Sequence, residues 1–333
     1  MKTSKKELLK ALEVVAIGLA SKELIEQSTS YVFLEDRVLT YNDEVSVSFP
    51  YAAGFTGVVP AKELLAFVRR CSAEDIGVEV TENELLMKAG RTKAGLTLKQ
   101  EITLPTETIE GAKKWRPIPV DFAKALKFCM GSCASDMSRF ILTNVHVRGT
   151  DVIEASDGHR ISQYRLEKEM GCAAFLIPAH VCSKIHGYDL KKICVDGGWV
   201  HFMTADKAII SCRIVSEAYP DTDAHTKIKG SKITFPKELK EALERAAVFY
   251  KKDYVLDELV DVTIAKGRMT LKANGIAGWS EEKLRVTTDA EVSFCITPYL
   301  LQDILSETLE AELQAPKLVF KGTNWLYLTL LRG

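Results

Sequence analysis

The pattern of apolar and polar positions alternates between two periodicities along the chain. Six segments carry apolar residues three or four, and then about seven, places apart, which is the spacing of one buried helical stripe. They read SKKELLKALEVV from Ser4, VVPAKELLAFVRR from Val58, PIPVDFAKALKFC from Pro117, LIPAHVCSKIHG from Leu176, TFPKELKEALERAAVF from Thr234 and ITPYLLQDILSETL from Ile296. Proline near the head of five of them is typical of the first helical position, where the missing N–H costs nothing. The pattern predicts six amphipathic helices.

The heads of these six segments recur at nearly constant intervals. The intervals are 56, 59, 59, 58 and 62 residues when the heads are taken as Ser4, Pro60, Pro119, Pro178, Pro236 and Pro298. Self-similarity at a fixed period indicates that the chain is built from repeats of one structural unit. We therefore expect a pseudo-sixfold repeat within the chain.

The stretches between the helical segments have the character of strands. YVFLEDRVLTYNDEVSVSF, GVEVTENELLMKAGRTKAGLTL and DVTIAKGRMTLKA alternate or run apolar and are interrupted by short turn sequences. One helix over one small sheet leaves sheet edges open, so the six units should pair. The sequence therefore predicts an α+β protein of three similar domains, 1–112, 113–227 and 228–333, each with two helices packed on antiparallel sheets.

The composition mainly argues against certain classes of protein and site. The chain has 333 residues, a hydrophobic fraction of 47%, a charged fraction of 27% and a formal net charge of −1. No apolar run approaches the length of a membrane span, and acidic residues interrupt the first helical segment as they would not in a signal peptide. The eight cysteines form no CxxC pair, which favours reduced thiols in a cytosol and no metal site. Any contact with nucleic acid has to come from a local basic surface.

The stretch EASDGHRIS, residues 154–162, contains groups that could perform acid–base chemistry. A catalytic His159 would need a nucleophile or water and an orienting acid, which leaves a hydrolase centred on Asp157 and His159 as one hypothesis. The sequence has no GxSxG, HExxH, P-loop or GxGxxG motif to support it. We instead interpret Ser156 and Asp157 as turn residues between two strands and expect no enzymatic activity and no cofactor.

Three internally doubled domains with SDGHRI in the middle one resemble the bacterial sliding clamp family, the beta subunit of DNA polymerase III. VPAKELLAFVRRCSAEDIGVEVTENELLMKAGRTKAGLTL is similar to the second half of the family's first domain, RFILTNVHVRGTDVIEASDGHRISQYRLE to its central segment and SEAYPDTD to the linker into its third domain. The ending Leu-Leu-Arg-Gly departs from the family and is compatible with a divergent or phage-encoded member.

The resemblance implies a DNA-clamp fold and a non-catalytic processivity factor. Members form homodimeric rings around double-stranded DNA without reading its sequence, and they dock the replicative DNA polymerase and the clamp loader. The implied location is cytoplasmic and nucleoid-associated, in a bacterial or phage-infected bacterial cell. Twelve helices at roughly 9 Å spacing would leave a hole of about 35 Å, wide enough for a duplex.

The resemblance also implies two sets of functional residues. A short peptide of the partner would bind in a groove between the second and third domains, formed by Leu142 in the strand after the third helix and by Gly158, His159, Arg160, Ile161, Pro220, Tyr254, Tyr299, Leu328, Leu331 and Arg332. The polar helix faces would present positive charge to DNA through Lys5, Lys10, Lys62, Arg69, Arg70, Lys124, Lys127, Lys184, Lys240 and Arg245. Lys22, just after the first helix, would lie near the position of a DNA-contacting arginine of the family.

A second hypothesis is open at this point. The same fold could serve as an interaction module that does not encircle DNA and that binds or regulates replication proteins. The two hypotheses differ in oligomeric state, because a protomer that covers half a turn closes a ring only as a dimer.

Overall fold

The computed structural model describes residues 1–105, 114–288 and 290–332 of the chain. The chain divides into two compact units, the first made of residues 1–123 and 169–216 and the second of residues 124–168 and 217–333. The expected domain boundary at 112/113 lies outside the described residues. The boundary at 227/228 follows a short helix that ends at Thr226. The division into three domains stays a prediction.

The described residues contain six α-helices, α1 (Lys5–Val15), α2 (Ala61–Arg70), α3 (Phe122–Met130), α4 (Ala179–Ile185), α5 (Asp223–Thr226) and α6 (Leu239–Tyr250). Five of them, all but α5, correspond to predicted helical segments. Each forms because its apolar residues lie on one stripe. In α1, for example, Leu8, Ala11, Leu12 and Val15 are buried. None of these helices has the length and apolar character needed to span a bilayer.

The prolines lie outside the helices and not at their first position, contrary to the expectation for α2, α3, α4 and α6. Pro60 and Pro178 immediately precede α2 and α4. Pro119 stands three residues before α3, and its carbonyl accepts a hydrogen bond from the Phe122 N–H at 3.1 Å. Each of these prolines therefore ends the preceding segment and turns the chain into the helix.

The sixth predicted helix is instead two 3₁₀ turns, Pro298–Leu300 and Ile304–Ser306. Its apolar residues are still buried, among them Leu300, Leu301, Ile304 and Leu305. The two 3₁₀ turns thus bury the same apolar residues that an α-helix would have buried.

The strands are β1 (Lys2–Ser4), β2 (Ser30–Leu34), β3 (Arg37–Tyr41), β4 (Val45–Pro50), β5 (Gly57–Pro60), β6 (Asp75–Val80), β7 (Glu84–Ala89), β8 (Thr92–Thr97), β9 (Arg116–Pro117), β10 (Asn144–Val147), β11 (Val152–Ser156), β12 (Arg160–Arg165), β13 (Phe175–Pro178), β14 (Leu190–Asp196), β15 (Trp199–Thr204), β16 (Ile209–Arg213), β17 (Ser231–Thr234), β18 (Val260–Ala265), β19 (Arg268–Gly275), β20 (Gly278–Arg285), β21 (Thr287–Thr288), β22 (Val292–Ile296), β23 (Glu310–Gln314), β24 (Lys317–Lys321) and β25 (Trp325–Leu330).

In the first unit, one sheet has the order β1-β6-β7-β8 and a larger one the order β5-β2-β3-β4-β16-β15-β14-β9. All described pairings in them are antiparallel. The pair β4–β16 joins strands far apart in sequence, with Val47 opposite Ile210. This pairing merges two repeats into one continuous sheet.

The second unit repeats this architecture. One sheet runs β10-β11-β12-β25-β24-β23-β17-β21 and a smaller one runs β20-β19-β18-β22. Strands β12 and β25 join the middle and last thirds of the chain and place Ile161 opposite Leu328. Helix α6 packs against the smaller sheet through a core that contains Leu243, Val262 and Leu271. The α+β fold with helices on antiparallel sheets is confirmed.

Candidate functional site

The SDGHR sequence forms a tight turn between β11 and β12. Asp157 Oδ1 accepts hydrogen bonds from the backbone N–H groups of His159 at 2.9 Å and Arg160 at 3.0 Å. Ser156 Oγ donates to the Arg160 carbonyl at 2.7 Å and accepts from the Gly158 N–H at 3.1 Å. Gly158 has φ +86°, a left-handed conformation that residues with a Cβ adopt only at a cost. The turn is therefore fixed by its own side chains.

Arg160 anchors this turn to the body of the second unit. Its side chain is 2% exposed, and its Nε donates to Asp157 Oδ2 at 2.9 Å. Burial by itself lowers the pKa of Arg160, but the neighbouring Tyr327, Asp157 and Tyr299 outweigh burial and raise that pKa above its usual value. Both oxygens of Asp157 are thus engaged by the backbone and by Arg160, and neither orients the His159 imidazole as a catalytic acid would.

A cavity of about 230 Å³ lies beside the turn in the second unit. Seven of the residues expected in the groove line it: Leu142, Gly158, His159, Arg160, Ile161, Pro220 and Leu328. The other lining residues were not predicted from the sequence, and they are Ser156, Tyr219, Asp221, Thr222, His225, Lys317 and Leu330. Tyr219, Asp221 and Thr222 lie within two residues of Pro220 in the sequence, and this proximity was the available signal. Leu142 lies in the 3₁₀ segment Met137–Thr143 and not in a strand as expected.

Four expected groove residues do not line this cavity. Tyr299 contacts Arg160 but lies beside the cavity wall. Tyr254 is 76% exposed, and Arg332 forms a β-bridge with Cys295. Leu331 is buried in the core. Side chains two residues apart share a face of a strand, so β25 presents Leu328 and Leu330 to the cavity, and Leu331 falls after the strand end.

One wall of the cavity, residues 219–226, is held by a cluster of charged side chains. Arg148 donates to both oxygens of Glu154, at 2.8 and 2.6 Å. The same guanidinium donates to both oxygens of Asp223, at 2.9 and 2.8 Å. The hydroxyl of Thr222 donates to Glu154, and Gln163 Nε2 donates to Thr222 at 2.8 Å. Hydrogen bonds and ion pairs from Glu154 and Arg148 thus connect the buried strand β11 to the wall.

The eleven basic residues expected to face DNA separate into two groups. Five have partners: Lys5 donates to the Cys71 carbonyl, Lys10 pairs with Asp206, Arg69 with Glu13 and Arg245 with Glu282, and Lys240 donates to Ser306. Six are exposed without a carboxylate at ion-pair distance among the described residues: Lys22, Lys62, Arg70, Lys124, Lys127 and Lys184. Pairing with a carboxylate thus offsets the charge of Lys10, Arg69 and Arg245, and the other eight basic side chains have no such partner among the described residues.

Nothing in the described part of the chain groups three or more His, Cys, Asp or Glu side chains in a way that could hold a metal ion. Burial raises the pKa of Cys133 to about 12, with Arg160 opposing the shift, so this thiol stays protonated at neutral pH.

No protein-family model matches the sequence, and no curated protein matches it. Solved structures match it over its whole length. The DNA polymerase III subunit beta of Pseudomonas aeruginosa is 18% identical, with 100% of each chain covered and a TM-score of 0.86. The beta sliding clamp of C. crescentus is 16% identical, with 100% of this chain and 98% of that one covered and a TM-score of 0.88. The beta chain of DNA polymerase III from Streptococcus pneumoniae TIGR4 is 19% identical, with coverage of 100% and 99% and a TM-score of 0.86. The chain has the fold of these DNA polymerase III beta subunits.

Proposed function

We propose that this protein is a DNA sliding clamp, a non-catalytic processivity factor that closes as a homodimeric ring around duplex DNA in the bacterial cytoplasm. The observation that carries the proposal is the likeness in fold, which covers 100% of this chain and 98–100% of the matched beta subunits. A likeness that extends over nearly the whole of both chains supports a shared mode of use more strongly than one restricted to a single domain.

The free sheet edges support closure into a ring. Strand β8 is the last strand of a sheet in the first unit, and β20 is the last strand of a sheet in the second. Open edges present unpaired N–H and C=O groups that favour pairing with another chain. We propose that β8 of one protomer pairs with β20 of its partner, and that two such seams close the dimer.

An apolar patch beside β20 supports the same seam. Val248 on α6 is 74% exposed, and Ile276 and Trp279 at the β19–β20 turn are also exposed. The aromatic ring of Phe249 packs beside Gly278 at the same turn. Exposed apolar side chains grouped at a sheet edge are typical of an interface that is buried in an assembly.

The remaining parts of the proposal concern partners. The unpaired basic side chains would contact phosphates without reading bases, which suits a ring that slides. The cavity at the SDGHR turn would bind a short peptide of the polymerase or the clamp loader, with apolar walls for an apolar side chain and backbone groups to fix its direction. Both oxygens of the Asp157 carboxylate already accept hydrogen bonds from the turn itself and from Arg160, which favours a docking role for this turn over a catalytic one.

Topology distinguishes this function from ordinary DNA binding. A nicked circular plasmid and the same plasmid linearised would be incubated with the protein and a clamp loader, then separated on a sizing column. We expect co-elution with the circle, loss from the linear form by sliding off the ends, and a solution mass of twice 37.0 kDa. A monomer that elutes alone in both cases would contradict the proposal and favour an interaction module of the same fold.

A further inference from the structure

The wall formed by residues 219–226 has little apolar anchorage of its own. Helix α5 is four residues long and buries none of its side chains. A single helical turn is not stable in isolation, because its nucleation costs more free energy than it recovers. The next firm apolar anchor is Ile228, which packs with Ile161, Val319 and Leu328. Apolar packing between Tyr219 and Ile228 is therefore sparse, and polar contacts must contribute to holding the wall.

The buried carboxylate of Glu154 supplies this fixation along three routes. Its side chain is 2% exposed and accepts hydrogen bonds from His146 Nδ1 and Arg148. His146 stacks on the ring of Tyr219 with their centroids 4.9 Å apart. The Thr222 hydroxyl donates directly to Glu154, and Arg148 bridges Glu154 to Asp223. Tyr219 and Thr222 both line the cavity.

The charge state of the cluster suits this role. Burial by itself raises the pKa of Glu154, but hydrogen bonds from His146, Arg148 and Thr222 outweigh burial and lower that pKa to about 2. The carboxylate is therefore ionised at neutral pH and pairs with Arg148. Charge-assisted bidentate pairs are directional as well as strong, so they fix the orientation of the segment that they bind.

We infer that Arg148 and Glu154 are positioning residues for the groove, holding residues 219–226 as a rigid wall and thereby setting the affinity for the partner peptide. The inference rests on the proposed docking function of the cavity. Neither side chain lines the cavity, so their effect passes through Tyr219, Thr222 and Asp223. The wall keeps the shape that a ligand would meet only while the cluster is intact.

The test compares Arg148→Met with Arg165→Met as a matched control. Arg165 pairs with Asp151 at the far end of β12 and has no hydrogen bond to the wall. The probe is a fluorescein-labelled decapeptide with apolar side chains, chosen from a peptide library for its binding to the wild-type protein. We expect Arg148→Met to raise its Kd about tenfold, since removal of a charged hydrogen-bond partner is on that scale, and Arg165→Met to leave it unchanged. Arg148→Lys should restore part of the affinity.

Hydrogen exchange of residues 219–226 provides a readout that does not need a ligand. In Arg148→Met the amides of this segment should exchange faster, while those of β11 and β12 keep their protection. Asp223→Asn, which changes an exposed partner, should act in the same direction and should add little in the double variant. The solution mass should stay that of the wild-type protein.

Failure of this inference and failure of the proposed docking function give different results. Unchanged exchange and unchanged Kd in Arg148→Met would overturn the inference. If no peptide binds the wild-type protein, the docking function fails, and faster exchange of 219–226 would still support the role of the cluster in holding the wall. If Asp223→Asn and Arg148→Met have fully additive effects, the two side chains act independently and the proposed bridge is wrong.

Discussion

The guanidinium of Arg160 lies 4.6 Å from the ring centre of Tyr299, and its Nη2 donates a hydrogen bond to that tyrosine's hydroxyl at 2.7 Å. These residues are 139 positions apart in sequence. The contact joins the start of β12 to the 3₁₀ turn Pro298–Leu300 and holds the SDGHR turn against the last third of the chain. A motif that resembles catalytic chemistry is in this way a structural connection beside the groove.

Arg160→Met should be strongly destabilising because it leaves the Asp157 carboxylate without its buried partner. We expect a loss of about 3 kcal/mol in the free energy of unfolding, measured by urea denaturation. Tyr299→Phe keeps the ring and removes only the hydroxyl, so its cost should be about 1 kcal/mol. Equal stability of the two variants would contradict this assignment.

Gly158→Ala should weaken peptide binding through the conformation of the turn. The backbone has φ +86°, and an added Cβ would lie 2.6 Å from Arg139 Nη1, which donates to the Asp157 carbonyl. We expect a cost in stability of about 1–2 kcal/mol from the left-handed backbone. Gly197→Ala, at φ +57° with no neighbour within 4 Å, should have a similar cost in stability and no effect on the peptide Kd.

Val248→Asp should dissociate the dimer. This exposed side chain is part of the proposed seam, and a charge there would have to be desolvated on association. Scattering mass at micromolar concentration should fall from twice 37.0 kDa to a single chain, with the melting temperature of the protomer little changed. The control is Val120→Asp, which alters another exposed valine and should leave the dimer intact. A dimer that survives Val248→Asp would exclude this patch from the seam.

Lys124→Gln combined with Lys127→Gln should weaken DNA retention in a salt-dependent way. Both side chains lie on α3 and have no carboxylate at ion-pair distance among the described residues. The slope of log K against log salt should fall by about 1 for each phosphate that the variant no longer neutralises. Arg245→Gln is the control, since Glu282 already pairs with that guanidinium at 2.6 Å. An equal change in slope for the control would show that pairing does not decide which cations face DNA.

Acid should unfold the second unit in part through Glu154. The carboxylate accepts hydrogen bonds from His146 on β10, Arg148 after β10, Gln163 on β12 and Thr222 on the wall. Asp223 is joined to it through Arg148, and the pKa of Glu154 is lowered from 4.5 to about 2. A lowered folded-state pKa contributes stability above the unfolded value of about 4.5, and this contribution is lost as pH falls toward 2. We expect Glu154→Gln to flatten the decline in stability between these pH values by about 3 kcal/mol, measured from urea midpoints.

Asp223 contributes to the same acid range. Hydrogen bonds from Arg148 and Gln163 hold the pKa of Asp223 below its usual value. Its side chain is 51% exposed, so solvent screens the pair and the contribution should be smaller than that of Glu154. An Asp223→Asn profile as flat as that of Glu154→Gln would contradict this ranking.

The sequence determined the repeat and most of its elements. Residues such as Leu8, Leu12 and Val15 define a buried stripe by their spacing alone, so α1 could be predicted without knowledge of its partners. The strands and the turn at Gly158 could likewise be predicted from residues that are close together in the sequence. The stripe that includes Leu301, Ile304 and Leu305 was also visible, but its burial is satisfied by either α or 3₁₀ winding. The pattern therefore could not distinguish the two windings.

Tertiary structure decided the groove and what holds it. Glu154 and Thr222 are 68 residues apart, and no periodicity in either segment indicates that they meet. The choice between Leu330 and Leu331 as a wall residue depended on the register of β25 against β12, because a shift of one residue turns a side chain to the opposite face. Local spacing fixes which face of an element is buried. Which distant side chains meet across that face is fixed only when the strands pair.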